Sequence, residues 1–303
     1  MKYYLGIDIG GTKTAVGVFD PDCTLIAETA FPTNPQSGCA DLVHRIGVTY
    51  RKLLQENGLA EEQVTAAGVA CPGPLDLASG MIVHIPTMGF RNEPIRQMLQ
   101  TELEKPIHLE NDANCAALAE AVKGAGAGGQ SVVYVTISTG VGCGIVLNGK
   151  ILDGAAFCAG EIGHLVVEPD GRPCPCGKNG CLEQYASGTA VAEIAGERLG
   201  QIISAKKVFA KARNGDGICR EIVEQAGEKL AFSLAAVCQL INPDTIVLGG
   251  SVTKDFDVLK PCLDAALPKY MLQDFIAQVK IVRAALDGTQ GIVGAALYAI
   301  EKA

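Results

Sequence analysis

Short apolar runs and longer amphipathic segments follow one another along the chain, and this pattern predicts a mixed α/β protein. Nearly continuous apolar runs predict buried strands at 64–70, 131–138 and 245–248, because a strand covered on both faces has no polar side. Apolar residues spaced three and four apart predict helices at 40–57, 95–103, 115–122, 187–199, 206–214, 217–240, 254–266 and 291–302.

Two stretches repeat the order strand, glycine-threonine turn, strand. The first passes through Asp8-Ile9-Gly10-Gly11-Thr12-Lys13, and the second passes through Thr139-Gly140 after the strand at 131–138. Turn glycines let backbone N–H groups approach an anion, and Asp8 could hold a hydrated Mg²⁺. A duplication with two phosphate-binding turns is one interpretation, and a pair of ordinary hairpin turns is the other.

Polar side chains follow a short apolar segment at 107–109. Asn111, Asp112 and Asn114 place one carboxylate and two amides at the end of a predicted strand, where α/β folds gather their active sites. A lone Asp there could accept a proton from a hydroxyl group. The alternative interpretation is structural, because Asn-Asp-Ala is also a good helix N-cap.

A cluster of soft metal ligands lies past the middle of the chain. Cys174, Cys176 and Cys181 fall within eight residues, and His164 precedes them by ten. Three Cys and one His are the composition of closed structural zinc sites, which keep no open position for water. The alternative is three incidental thiols in a loop. The other nine cysteines are scattered singly among apolar residues, as buried free thiols are.

Two glutamates flank this cluster. Glu161 precedes His164 by three residues, and Glu183 follows Cys181 by two. Closure of the loop by zinc would bring the two carboxylates together, and carboxylates that accept hydroxyl hydrogens suit a polyol. The alternative is a pair of solvated surface glutamates.

Composition excludes several function classes. The 303-residue chain has 48% hydrophobic residues, a net charge of −8 and a pI near 5.1, so nucleic acid and anionic membranes are not expected partners. It contains no Lys/Arg run and no apolar run of 18 residues. A strand pattern begins at residue 3, so we expect no signal peptide and a cytoplasmic location.

These motifs together resemble the ROK family, and the chain is similar throughout to its glucokinase-like members. The resemblance rests on Asp8-Ile9-Gly10-Gly11-Thr12-Lys13, Glu110-Asn111-Asp112-Ala113-Asn114, the segment 136–142, Glu161-x-Gly-His164, the motif from Cys174 to Glu183, and Leu248-Gly249-Gly250. It implies an α/β, two-domain, actin-like and ribonuclease H-like ATPase fold with an interdomain cleft. The implied division places residues 1–112 with a closing helix at 291–303 in a small lobe, and 113–290 with the zinc loop in a large lobe.

The implied activity is transfer of the ATP γ-phosphate to a hexose hydroxyl, with Mg²⁺ and a structural Zn²⁺. The resemblance makes Asp112 the base and His164 a ligand of both sugar and zinc. It implies sugar contacts from Asn111, Glu161, His164 and Glu183; ATP and Mg²⁺ contacts from Asp8, Gly10, Gly11, Thr12, Lys13, Thr139, Gly140, Gly249 and Gly250; and zinc ligation by His164, Cys174, Cys176 and Cys181. It also implies a homodimer or homotetramer.

The substrate sugar is left open by one departure from the family pattern. Many glucokinase-like members carry an Asn and a Trp where this chain has Thr87 and Phe90; Asn92 is kept, and the chain has no Trp. Glucose is the first expectation, and fructose, N-acetylglucosamine, N-acetylmannosamine and allose are the alternatives. A family repressor is disfavoured because no segment precedes the first strand to form a DNA-binding domain. A sugar-binding protein without catalysis is disfavoured because Asp112 and both turns are kept.

Overall fold

The computed structural model describes residues 2–286 and 288–303, which form two compact units. The first unit comprises Met1–Glu120, Asp153–Phe157 and Leu286–Ala303, and the second comprises Ala121–Leu152 and Cys158–Ala285. The first unit therefore includes most of the helix that follows Asp112, which the predicted division assigned to the large lobe. That the boundary between the small and large lobes lies at residue 112 stays a prediction. Within the described ranges, no helix combines the length and apolar character needed to span a bilayer.

The first unit contains a five-stranded sheet in the order β3-β2-β1-β4-β8. Its strands are β1 (Tyr3–Ile9), β2 (Lys13–Phe19), β3 (Leu25–Pro32), β4 (Val64–Cys71) and β8 (Ile107–Asn111). The first three form antiparallel pairs, whereas β1, β4 and β8 run parallel. Of the parallel strands, β1 and β4 are nearly continuous apolar runs, as expected for strands that are covered on both faces, whereas β8 also carries His108, Glu110 and Asn111.

Helices cover this sheet, and one of them packs unusually close to it. The helices are α1 (Gly38–Glu56), α2 (Ile95–Leu103), α3 (Asp112–Val122) and α10 (Gln290–Lys302). A Cβ added to Gly68 of β4 would lie 1.8 Å from the Ala295 carbonyl oxygen, and one on Gly6 of β1 would lie 2.0 Å from that of Ile292. Glycine is therefore needed in both strands, because the backbone of α10 occupies the space of a side chain.

A three-stranded sheet, β5-β6-β7, completes the first unit. Its strands are β5 (Leu75–Asp76), β6 (Met81–Ile85) and β7 (Phe90–Glu93). These strands are too brief for their periodicity to be read from the sequence. Phe90 is buried in the core of the unit, whereas Thr87 is exposed.

The second unit is built on another five-stranded sheet, in the order β11-β10-β9-β12-β13. Its strands are β9 (Ser131–Ile137), β10 (Val141–Leu147), β11 (Lys150–Ile151), β12 (Thr245–Gly249) and β13 (Lys280–Arg283). As in the first unit, a hairpin of β9 and β10 is extended by parallel strands, here β12 and then β13. The predicted strand-turn-strand repeat therefore opens a sheet in each unit.

Helices of the second unit enclose its apolar core. They are α4 (Glu183–Ala186), α5 (Gly188–Leu199), α6 (Ala205–Arg213), α7 (Gly217–Ile241), α8 (Phe256–Ala266) and α9 (Gln273–Gln278). Ser187 caps α5, because its side chain accepts the Ala190 N–H. The predicted helix at 254–266 begins later, at Phe256, after a 3-10 turn at Ser251–Asp255.

Candidate active site

The carboxyl ends of the parallel strands in the first unit bring Asp8 and Asp112 to one edge of the sheet. Asp8 of β1 pairs with Ala70, Ala70 pairs with Glu110, and Asn111 ends β8. Asp112 then begins α3 directly after that strand. This is the edge at which parallel sheets hold their ligands, so two predicted site residues about 100 positions apart in the sequence are brought together there.

The electrostatics of Asp8 reflect its place beside a second carboxylate. Burial, and then the charge of Asp112, raise the pKa of Asp8 from 3.8 to about 6, and Lys13 opposes the shift. A Cβ added to Gly291 of α10 would lie 2.3 Å from the Asp8 carboxyl carbon. Two neighbouring carboxylates that are partly buried can bind a hard cation such as Mg²⁺. One of them can also act as a base beside a charged ligand.

The turn from β8 into α3 is tied together by its own side chains. The Asn111 Oδ1 atom accepts the N–H of Ala113 at 2.9 Å and that of Asn114 at 3.3 Å, and the Asp112 Oδ1 atom accepts the Ala113 N–H at 2.8 Å. The capping interpretation of this motif is therefore correct as far as Asn111 is concerned. Capping of α3 by Asn111 is compatible with a chemical role for the Asp112 carboxylate.

The glycine turn between β1 and β2 is closed through Gly10. The Gly10 N–H donates to the Lys13 carbonyl oxygen at 3.0 Å, and the Thr33 hydroxyl donates to the Gly10 carbonyl oxygen at 2.5 Å. Gly11, Thr12 and Lys13 are exposed, and a Cβ added to Gly11 would meet no atom within 4 Å. The open side of this turn has the room and the backbone polarity that an anion needs.

In the second unit, two glycine turns follow neighbouring parallel strands. Thr139-Gly140 follows β9, and Gly249-Gly250 lies where β12 ends; Gly249 pairs with Thr136 across the strands. Gly250 has φ 89°, and a Cβ there would lie 2.4 Å from the Ile137 carbonyl oxygen. The hydroxyls of Ser138 and Ser251 join the two turns at 3.0 Å. These turns, predicted separately from the sequence, thus share one edge.

Glu183 reaches the same edge from the start of α4. Its Oε2 atom accepts the Val141 N–H at 2.9 Å and lies 2.3 Å from the position of a Cβ on Gly140. The N–H of Gly188, which opens α5, donates to the Ser138 carbonyl oxygen at 2.7 Å. Glu183 is therefore fixed to the β9–β10 turn by one oxygen, a contact that the sequence did not predict.

The predicted zinc ligands lie together in the second unit. One ligand atom from each of His164, Cys174, Cys176 and Cys181 falls within 4.8 Å of all the others. The Cys176 and Cys181 sulfurs are 3.6 Å apart, and the Cys174 sulfur is 3.8 Å from the His164 Nδ1 atom. A tetrahedral zinc with bonds of about 2.3 Å to sulfur requires ligand atoms about 3.8 Å apart. The donor set and its spacing therefore fit zinc.

The zinc loop also places Glu161 near His164. The Glu161 Oε2 atom lies 4.0 Å from the His164 Nε2 atom, so ligation through Nδ1 would leave Nε2 facing a carboxylate. A Cβ added to Gly163 would lie 2.1 Å from the Val141 carbonyl oxygen. The segments carrying Glu161 and Glu183 thus both pack against Val141.

The chain is similar to known proteins over nearly its whole length. A family model described as "ROK family" matches residues 4–302. A relative called glucokinase, from Halalkalibacterium halodurans, is 34% identical, with 97% of this chain and 93% of the relative covered. The crystal structure of a ROK hexokinase from Thermus thermophilus superposes with a TM-score of 0.87 at 34% identity, covering 99% of this chain and 98% of that one.

A third comparison involves a ligand-bound relative. The structure of a ROK family glucokinase from Streptomyces griseus in complex with glucose and AMPPNP superposes with a TM-score of 0.81 at 29% identity, with 99% of each chain covered. The predicted α/β fold of the actin-like ATPases is confirmed by these structural matches.

Proposed function

Because the chain belongs to the ROK family, we propose that it is an ATP-dependent hexose kinase that phosphorylates glucose. The observation that carries this proposal is the placement of Asp112 beside Asp8 at the carboxyl edge of a parallel sheet. Phosphoryl transfer needs positioning, charge neutralisation and a carboxylate that takes the proton of the attacking hydroxyl. Relatives called glucokinase favour glucose over the alternative sugars.

Asp112 is our proposed base, and the neighbouring residues hold the reactants. Asn111 keeps its Nδ2 group for a sugar hydroxyl, since its Oδ1 atom caps α3. Gly10, Gly11, Thr12 and Lys13 form one proposed phosphate loop, with Asp8 beside it for hydrated Mg²⁺. When bound, Mg²⁺ neutralises charge on the phosphate oxygens.

The second unit contributes the other proposed ligands. Thr139 and Gly140 form the second phosphate turn, and Gly249 and Gly250 form the adenosine-side turn. We propose that Glu161, His164 and Glu183 form hydrogen bonds with sugar hydroxyls, in which the two carboxylates accept. Because the Oε2 atom of Glu183 is engaged by Val141, its Oε1 atom is the one we assign to the sugar.

His164, Cys174, Cys176 and Cys181 are proposed to bind a structural zinc ion. Zinc ligated by four protein groups stabilises a loop and fixes the His164 tautomer. The twelve free thiols support a reducing compartment, for which we propose the cytoplasm. Exposed Phe232, Leu240 and Leu272 in the second unit support the proposed homodimer or homotetramer, which light scattering tests.

The proposed activity is tested with purified protein, ATP, Mg²⁺ and a panel of hexoses and N-acetylhexosamines. Glucose should give the highest kcat/KM, and a higher value for another sugar would overturn the substrate assignment. Asp112→Asn should lower kcat by about 10²–10⁴ while glucose binding is kept, because the substitution removes a base but not a ligand. Near-wild-type kcat in this variant would refute the assignment of the base.

Zinc is tested by elemental analysis of protein purified without chelators. We expect about one zinc per chain, less zinc in Cys176→Ser, and a higher KM for glucose in that variant. Cys262→Ser, which changes a thiol outside the cluster, should keep the wild-type zinc content. Wild-type protein without zinc would contradict the proposal.

A further inference from the structure

Glu110 is a fully buried carboxyl group directly before the proposed site. It is 0% exposed, and it lies in β8 between the buried Leu109 and the half-buried Asn111. Burying a carboxyl group is costly, and an apolar residue would be the cheaper choice for a covered strand. Such a local conflict is expected where a site needs a particular polar atom.

One oxygen of Glu110 holds both sides of Asp112. The Oε1 atom accepts the N–H of Asn111 at 2.8 Å and the side-chain amide Nδ2–H of Asn114 at 2.9 Å. Asn111 in turn caps Ala113 and Asn114 through its Oδ1 atom. The residues immediately before Asp112 and two positions after it are therefore anchored to a single buried atom.

The other oxygen of Glu110 has different surroundings. Glu110 Oε2 and Asp153 Oδ1 are both buried, and neither has a hydrogen-bond partner among the described residues. Burial raises the pKa of Glu110, opposed by its bonds to Asn114 and Asn111, while Asp153 raises it. The Tyr298 hydroxyl also interacts with the Glu110 carboxyl and, like the bonds to Asn114 and Asn111, opposes the rise in its pKa. Lys302 and Glu301 face Asp153.

We propose that Glu110 is a positioning residue for Asp112: its Oε1 atom holds the first turn of α3, and with it the Asp112 carboxylate, in the orientation for proton abstraction. This inference rests on the proposed function. It requires an acceptor at Oε1, and it does not require a negative charge. Glutamine keeps that acceptor without the charge, whereas leucine keeps similar bulk and removes the acceptor.

The test compares Glu110→Gln with Glu110→Leu in steady-state kinetics, with glucose affinity measured by calorimetry. Glu110→Leu should lower kcat by about 10–10², the loss expected when a reacting group is misplaced by about 1 Å, and should lower kcat by a larger factor than it raises the glucose Kd. Glu110→Gln should keep kcat within about threefold of wild type. A wild-type kcat in Glu110→Leu, or equal losses in both variants, would overturn the proposal.

Glu120→Leu is the matched control. Like Glu110, Glu120 is fully buried, and its Oε1 atom accepts a backbone N–H, that of Leu286, at 2.8 Å. Glu120 differs in its position, because it lies in α3, eight residues beyond Asp112. It should lower the melting temperature with kcat kept within about twofold. An equal loss of kcat in Glu120→Leu would overturn a specific role for Glu110.

Two further variants keep the test decisive. If Glu110→Leu does not fold, Asn114→Ala removes one of the two donors to Oε1; a kcat lower by about threefold or more supports the proposal, and an unchanged kcat overturns it. Asp112→Asn is assayed beside them. If it turns over glucose normally, the assigned base is wrong; if it is inactive while the Glu110 variants behave as wild type, only the positioning role is wrong.

Discussion

Replacing Asp8 with Asn should make the protein more stable at neutral pH while removing activity. Burial, then the charge of Asp112, raises the pKa of Asp8 from 3.8 to about 6. The folded protein therefore holds a proton on Asp8 that the unfolded chain releases between these pH values. Stability from this group is fully present below 3.8 and is lost as the pH rises through about 6.

The magnitude follows from the shift. A difference of about two pKa units corresponds to about 3 kcal/mol above pH 6, with about half of it lost by pH 5. Asn does not ionise, so Asp8→Asn should raise the free energy of unfolding by up to about 3 kcal/mol at pH 8. The gain should shrink to about 0.5 kcal/mol at pH 4. The stabilised variant should have lost Mg²⁺-dependent turnover, a trade between stability and function that active sites commonly show.

The assay is urea unfolding of wild type and Asp8→Asn at pH 4, 5 and 8 without added divalent ions. Tyrosine fluorescence reports the transition, since the chain has seven Tyr and no Trp. Glu28→Gln, which changes an exposed carboxyl on β3, is the control and should stay within about 0.5 kcal/mol of wild type at each pH. A stabilisation that is equal at pH 4 and pH 8, or a loss of stability at pH 8, would refute the electrostatic reasoning.

Two other substitutions test separate features of the units. The Tyr50 hydroxyl is buried and has no hydrogen-bond partner among the described residues. Tyr50→Phe should therefore keep the free energy of unfolding or raise it by up to about 1 kcal/mol in a melting experiment. A clear loss of stability would show that the hydroxyl makes a hydrogen bond. Gly140→Ala should raise the KM for glucose about tenfold, because the new Cβ would lie 2.3 Å from the Glu183 Oε2 atom, break its bond to Val141 and displace this proposed sugar ligand. Gly217→Ala, where a Cβ meets no atom within 4 Å, is its control, and unchanged kinetics in Gly140→Ala would contradict the predicted clash.

The amino-acid sequence determined most elements of the fold, because apolar periodicity records which side of each segment is covered. The helix α7 and the strands β4, β9 and β12 were predicted within a few residues of their bounds. The sequence missed β5, β7 and α9, which are short segments whose form depends on neighbours distant in the chain.

The candidate site likewise has features that the sequence predicts and features that only the tertiary structure shows. Sequence motifs predicted Asp8, Asp112 and the cysteine cluster as site residues, because strand ends and ligand spacing are local features. Only the tertiary structure decided that Asp8 lies beside Asp112, that Glu183 bonds to the Val141 backbone, and that Glu110 is covered completely. Burial and charge proximity arise from contacts between residues far apart in sequence. These contacts set the pKa of Asp8 and the burial of Glu110, and neither property is encoded in a single stretch of the chain.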